Sequence, residues 1–401
     1  MRSSIRVLGR IAVVTLLLLA APTAILRAQS LLQAPNDEWL TELHRGQELD
    51  SQGKTKEAEE SLVRALRYAE TFGSKNVRVG ACLNALALHY HREGNYEGAE
   101  TLYHRALEVL ESSFGPDQID LAKILSSLTS LYLTLEDPDS AETVALRRLA
   151  IVEKHLGSDH LDVAEPLSEL SLIYFVKGDY DRSEAYQVLA LELLTKRAPE
   201  DKVSLAEAFS SLGVIRAANG NYSAATAPLE RAAEIRREVG SAETLAAARD
   251  LAHLATAYSS RMNLAEAEGL LEQALRIRRS LGANRDAETA TALNSLGETF
   301  RSQGLASEAE LQFRQSIRIW EEAAGADHLE TAISLNNLAG ALQDQQRYRE
   351  AEQAMKKSLA AFRKRLGPEH PKTLEVVRQY DIVSRLAVAT AAALPSGSSA
   401  P

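Results

Sequence analysis

The chain has 401 residues, is only 5% aromatic and carries a formal net charge of −10. An all-β fold needs β-branched and aromatic strands punctuated by turn residues, and this composition excludes it; a hydrophobic content of 45% excludes wholesale disorder. The acidic balance leaves no basic field for nucleic acid phosphates, and the single cysteine, Cys82, forms no internal disulfide and builds no cysteine-rich metal site.

The chain opens on Arg2, Arg6 and Arg10, followed by an apolar run from Ile11 to Ala21 that Pro22 closes. Small residues follow, and Ala28 offers a cleavage point before Gln29. This is the plan of a secretory signal peptide, and the run is too short to span a bilayer as a helix. Residues 1–28 are therefore expected to be removed, taking four arginines with them and leaving a net charge of about −14. The expected location is secreted or periplasmic, with no stable membrane insertion after cleavage.

The body of the chain is periodic. Steps of 42 from Leu86 reach Leu128, Leu170, Leu212, Leu254, Leu296 and Leu338. Three residues earlier stand Leu83, Leu125, Leu167, Phe209, Leu251, Leu293 and Leu335. The residue after each leucine is small: Ala87, Thr129, Ser171, Gly213, Ala255, Gly297 and Ala339. Tyr90, Tyr132, Tyr174, Tyr258 and Phe300 make the column four residues after the leucine mostly aromatic. Offsets of three and four put these columns on one helical stripe, the first helix of each unit.

Gly94-Asn95-Tyr96, Gly178-Asp179-Tyr180 and Gly220-Asn221-Tyr222 then read as tight turns. Glu136, Met262 and Gln346 replace the turn glycine elsewhere. A second helix follows, with small residues at Ala99, Ala141, Ser183, Ala225, Ala267, Ala309 and Ala351. The units fall near 36–76, 77–118, 119–160, 161–202, 203–244, 245–286, 287–328 and 329–372. The unit at 36–76 lacks the leucine column and reads as an N-terminal cap. A capping helix at 373–393 covers the last face, and the Pro/Ser/Gly-rich tail 394–401 reads as disordered.

A helix–turn–helix unit with leucine, a small residue, an aromatic and then Gly-x-Tyr resembles the tetratricopeptide repeat. The 42-residue period is similar to the kinesin-light-chain type, as are Leu83-Asn84-Ala85-Leu86-Ala87 and the loop Leu366-Gly367-Pro368-Glu369-His370-Pro371. The resemblance implies an all-α fold: a right-handed α-solenoid superhelix of about eight helix–turn–helix units with N- and C-terminal caps. It also implies a binding scaffold, not an enzyme, whose partner is a protein or an extended peptide held along the concave face of the first helices. A structural protein that acts by self-association is the alternative.

In that geometry the residue two before each column leucine points into the groove: Asn84, Ser126, Ser168, Ser210, Ala252, Asn294 and Asn336. Asparagine both donates to and accepts from a peptide backbone; bonding to a neighbouring repeat is the competing use. Further along, Leu172, Phe175, Val176 and Val214 make an apolar middle, while Arg301 and Gln343 make a polar end.

No cofactor is expected. His160, His328 and His370 stand 42 residues or a multiple apart, one per loop, and do not converge as metal ligands do. No nucleophile elbow or phosphate-binding loop is present, and Cys82 reads as a buried apolar residue.

Overall fold

The computed structural model describes residues 38–393; the expected signal peptide and the tail 394–401 lie outside the described residues. The described residues form α-helices and two single 3-10 turns, with no strand. They divide into two compact units, one ending at Asp201 and the other beginning at Lys202.

The first unit stacks four hairpins: α1 (Glu38–Ser51) with α2 (Thr55–Glu70), α3 (Val77–Arg92) with α4 (Tyr96–Phe114), α5 (Ala122–Thr134) with α6 (Pro138–Leu156), and α7 (Ala164–Lys177) with α8 (Tyr180–Arg197). The second stacks α9 (Lys202–Ala218) with α10 (Tyr222–Glu238), α11 (Leu245–Ser260) with α12 (Leu264–Ser280), α13 (Ala287–Ser302) with α14 (Ala306–Ala324), and α15 (Leu329–Asp344) with α16 (Tyr348–Leu366), closed by α17 (Pro371–Ala393). Within each unit the second helix of a hairpin packs on the first helix of the next, and neighbouring first helices touch: α1 with α3, α3 with α5 and α5 with α7; α9 with α11, α11 with α13 and α13 with α15. The first helices thus form one face of each unit.

The turn inside every hairpin has one geometry. The residue after the turn donates its N–H to the carbonyl five residues back, from Lys54 to Leu49 through Arg347 to Leu342, at 2.9–3.0 Å. The residue before it is left-handed, as a Schellman closure requires. Gly94 and Gly178 have φ of 78°, and the non-glycine replacements Glu136, Met262 and Gln346 sit at 57°, 63° and 60°. Asn95, Asp137, Asp179 and Asn221 then cap the second helix, each accepting an N–H at 3.1 Å. Gly240 and Gly282 come one residue early in the loops between hairpins, and α10 and α12 end correspondingly sooner.

Small residues set the distance within a hairpin. Ala87, Thr129 and Ala255 are fully buried, as are their counterparts Ala99, Ala141 and Ala267. Between α7 and α8 the two small residues bond reciprocally: Ser171 Oγ donates to the Ser183 carbonyl at 2.8 Å and Ser183 Oγ to the Ser171 carbonyl at 2.7 Å. Leucines and aromatics fill the space around these contacts, from Trp39 to Tyr174 in the first unit and from Phe313 to Val383 at the end of the second.

Two polar devices fix one hairpin on the next. In six hairpins the glutamate that follows the small residue of the second helix accepts a bond from the next helix. Tyr90, Tyr132 and Tyr174 donate to Glu59, Glu100 and Glu142 at 2.9, 3.0 and 2.6 Å, and Gln303, Gln345 and Ser384 to Glu268, Glu310 and Glu352 at 2.8, 2.9 and 2.7 Å. On the loops, Lys154, Lys196 and Lys364 pair with Asp117, Asp159 and Asp327. The next residue of each second helix, His155, Arg197 or Arg365, bonds the carbonyl of the same aspartate.

Candidate functional site

The first-helix face carries the residues singled out by the sequence, and the structure treats them unequally. In the first unit, Asn84 on α3 is half-buried and its Oδ1 is sealed with no hydrogen-bond partner. Ser126 on α5 is committed inward, its Oγ donating to Glu169 Oε1 at 2.6 Å. Ser168, Leu172 and Val176 on α7 are half-buried. Phe175 is buried, its ring edge-on to Tyr180 with centroids 5.5 Å apart.

In the second unit, Ser210 on α9 is buried and donates to Asp250 Oδ1 at 2.6 Å, while Val214 is half-buried. Asn294 on α13 is also held from within. Its Nδ2 donates to Glu298 Oε1 at 2.8 Å and its Oδ1 accepts from Asn337 Nδ2 at 3.2 Å. Arg301 is exposed and donates to Asp344 Oδ2 at 2.6 Å. Gly340 leaves room for it, since a Cβ there would come within 2.7 Å of the Arg301 guanidinium carbon. Asn336 and Gln343 on α15 are half-buried, and Asn336 Oδ1 has no partner. Ser126, Ser210 and Asn294 therefore serve the neighbouring repeat, whereas Asn84 and Asn336 keep a carbonyl oxygen free.

The serines bond to buried charges that periodicity does not reveal. Glu169 is 1% exposed and Arg148 7%. Arg148 Nη1 lies 2.6 Å from Glu169 Oε1, and its Nη2 2.9 Å from Glu165 Oε2. Burial pushes the Glu169 carboxyl above its ordinary value, against the pull of Arg148 and Ser126. In the second unit Arg236 reaches Asp250 Oδ2 at 2.6 Å and Glu207 Oε1 at 2.7 Å. One repeat on, Arg278 takes Asp286 Oδ2 and Glu288 Oε2, both at 2.5 Å, and Thr289 Oγ1 at 2.8 Å. The one visible signal was Arg148, an arginine in a column otherwise small; its partners stand on other helices.

The loop histidines are helix caps. The Nδ1 atoms of His160, His328 and His370 accept the N–H two residues on, from Asp162, Glu330 and Lys372, at 3.2, 3.3 and 3.2 Å. Cys82 is fully buried, and burial pushes its thiol up to about 12, which leaves no thiolate for chemistry near neutral pH. Among the described residues no group of three or more His, Cys, Asp or Glu is placed to hold a metal ion, and no helix is long and apolar enough to cross a membrane.

A family model described as tetratricopeptide repeat matches residues 79–154, 156–238, 243–322, 313–364 and 330–380, and a second of that description matches 43–113. No curated protein matches the chain in sequence. Among solved structures, the chain is similar to the apo form of RapI, with 14% identity, 86% of this chain and 97% of that one covered, and a TM-score of 0.58. It is similar to aspartyl phosphate phosphatase F from Bacillus subtilis, with 12% identity, coverage of 85% and 88%, and a TM-score of 0.57. It is also similar to BtubC (BKLC) from P. vanneervenii, with 20% identity, coverage of 59% and 94%, and a TM-score of 0.49. At these identities the likeness is one of fold.

Proposed function

Because the chain belongs to the tetratricopeptide repeat family, we propose that it is a binding scaffold that holds a protein or an extended peptide on the first-helix faces of its two units. Repeats of this kind generally bind proteins and are generally not enzymes. The observation that supports this use is an unsatisfied amide oxygen on the first-helix face of each unit, Asn84 Oδ1 in the first and Asn336 Oδ1 in the second. Buried polar atoms are nearly always paired, and a peptide N–H is the donor such an oxygen lacks. Half-buried Leu172 and Val176 add apolar contact in the first unit, and half-buried Val214 in the second.

The test is a peptide-library binding measurement with Asn84→Ala and Asn336→Ala. Each lost hydrogen bond weakens binding by about 0.5–1.5 kcal/mol. Unchanged affinity in folded variants would remove both asparagines from the site. We further propose, from the basic-then-apolar start, that this activity lies outside the cytoplasm; fractionation of the native protein, with N-terminal sequencing of the mature form, checks it.

A second reading, self-association, is favoured by Leu374, Ile382 and Val388 on α17, which are 40%, 56% and 67% exposed. A mass that stays monomeric as concentration rises in sedimentation would exclude it.

A further inference from the structure

One carboxylate of the second unit lacks what its neighbours possess. Glu288 and Glu330 occupy the same place in successive repeats, in the first turn of α13 and of α15. Glu288 receives Arg278. One repeat on, the place of that arginine is taken by Trp320, which is 3% exposed and stacks on His328 with ring centroids 5.5 Å apart. Glu330 is 6% exposed, and its Oε1 is sealed without any hydrogen-bond partner.

Two turns along α15, Asn337 lies on the stripe of Glu330 and reaches back to Glu298 Oε1 on α13 at 2.7 Å. Glu298 takes amide donors only, from Asn294 and Asn337, while Arg301 is turned to Asp344. Neither Glu298 nor Glu330 forms an ion pair among the described residues. The unpartnered oxygen of Glu330 is an acceptor, and the group it lacks is a donor carrying positive charge.

We propose that Glu330, whose charge is felt by Glu298 on the neighbouring first helix, receives a guanidinium or ammonium group from the bound partner, so that the second unit selects a peptide with a basic side chain. This rests on the reading of the first-helix face as a peptide site. The partner's cation does for Glu330 what Arg278 does for Glu288. Burial, with the Glu298 charge adding and Lys372 of α17 opposing, pushes Glu330 up to about 7. The other group at its helix start, His328, uses Nδ1 to accept the Glu330 N–H. Cation binding therefore strengthens as Glu330 ionises between pH 6 and pH 8.

The experiment uses a fluorescein-labelled library of nine-residue peptides in two versions, with arginine or its uncharged isostere citrulline at each position, read by anisotropy. The expected result is a tenfold or greater preference for arginine at one position, about 1.4 kcal/mol per tenfold, which rises from pH 6 to pH 8. Glu330→Gln should abolish the preference while raising the melting temperature of the free protein, because it removes an unpaired buried acid; a purely structural role would lower both. Equal binding of the two versions overturns the cation site and leaves the peptide-binding face standing. Binding of neither overturns both.

Discussion

At the scale of single residues, the arrangement turns on which polar side chains find a partner one repeat away. Arg148 was visible in the sequence as a break in a small column, but its carboxylates, Glu165 and Glu169, are fixed only when α6 packs on α7. The histidines show the same limit: their spacing identified loop residues, while their capping bonds appear only in the fold. His328 permits a pH test. Burial, with Arg365 adding, lowers its imidazole from the ordinary value of 6.5. The folded state therefore prefers the neutral ring, whose Nδ1 accepts from Glu330. The cap's contribution is present above that ordinary value and is lost as pH falls through the lowered one. His328→Ala should cost about 0.5–2 kcal/mol at pH 7.5, and the gap to the wild type should be smaller at pH 5 in urea titrations. His328→Asn should keep the cap at both pH values, because the amide oxygen does not titrate. A gap that is the same at both pH values would contradict the capping account.

At the scale of elements, helices and turns were legible because each is set by local chemistry. Columns at offsets of three and four predict the first helix, and Gly-Asn-Tyr or Gly-Asp-Tyr predicts a left-handed closure followed by a capped second helix. The 3-10 turns Ile119–Leu121 and Leu161–Val163 were not legible, since no periodicity marks a single turn. Where glycine is replaced, the closure survives under strain, with Met262 at φ 63° and 71% exposed. An L-residue in the left-handed region costs roughly 1–2 kcal/mol. Glu136→Gly, Met262→Gly and Gln346→Gly should therefore each stabilise the protein by about 1 kcal/mol, offset slightly by the entropy of the unfolded chain. Thermal unfolding reads this directly, and a fall in melting temperature for all three would show that these side chains serve contacts that outweigh the strain.

At the scale of the whole molecule, each unit is a chain of nearest-neighbour contacts with its own cores, so damage should stay local. Gly297 tests this. A Cβ there would meet the ring of fully buried Phe313 at 2.6 Å, an overpacking that costs about 1–3 kcal/mol. In Gly297→Ala, hydrogen exchange should speed up in α13 and α14 and stay unchanged from residue 38 to 201; an equal loss of protection throughout would contradict independent units. By itself the sequence determined the repeat, because a 42-residue period in leucine, small and turn residues can bury its apolar stripe only by stacking copies of one hairpin. Only the tertiary structure decided which members of a column are spent and which remain open. Ser126 and Asn336 stand at one register, yet Ser126 meets Glu169 across the stack and Asn336 Oδ1 meets nothing. A side chain's register follows from its own helix, but its hydrogen bond depends on a residue about forty positions away that does not keep the period.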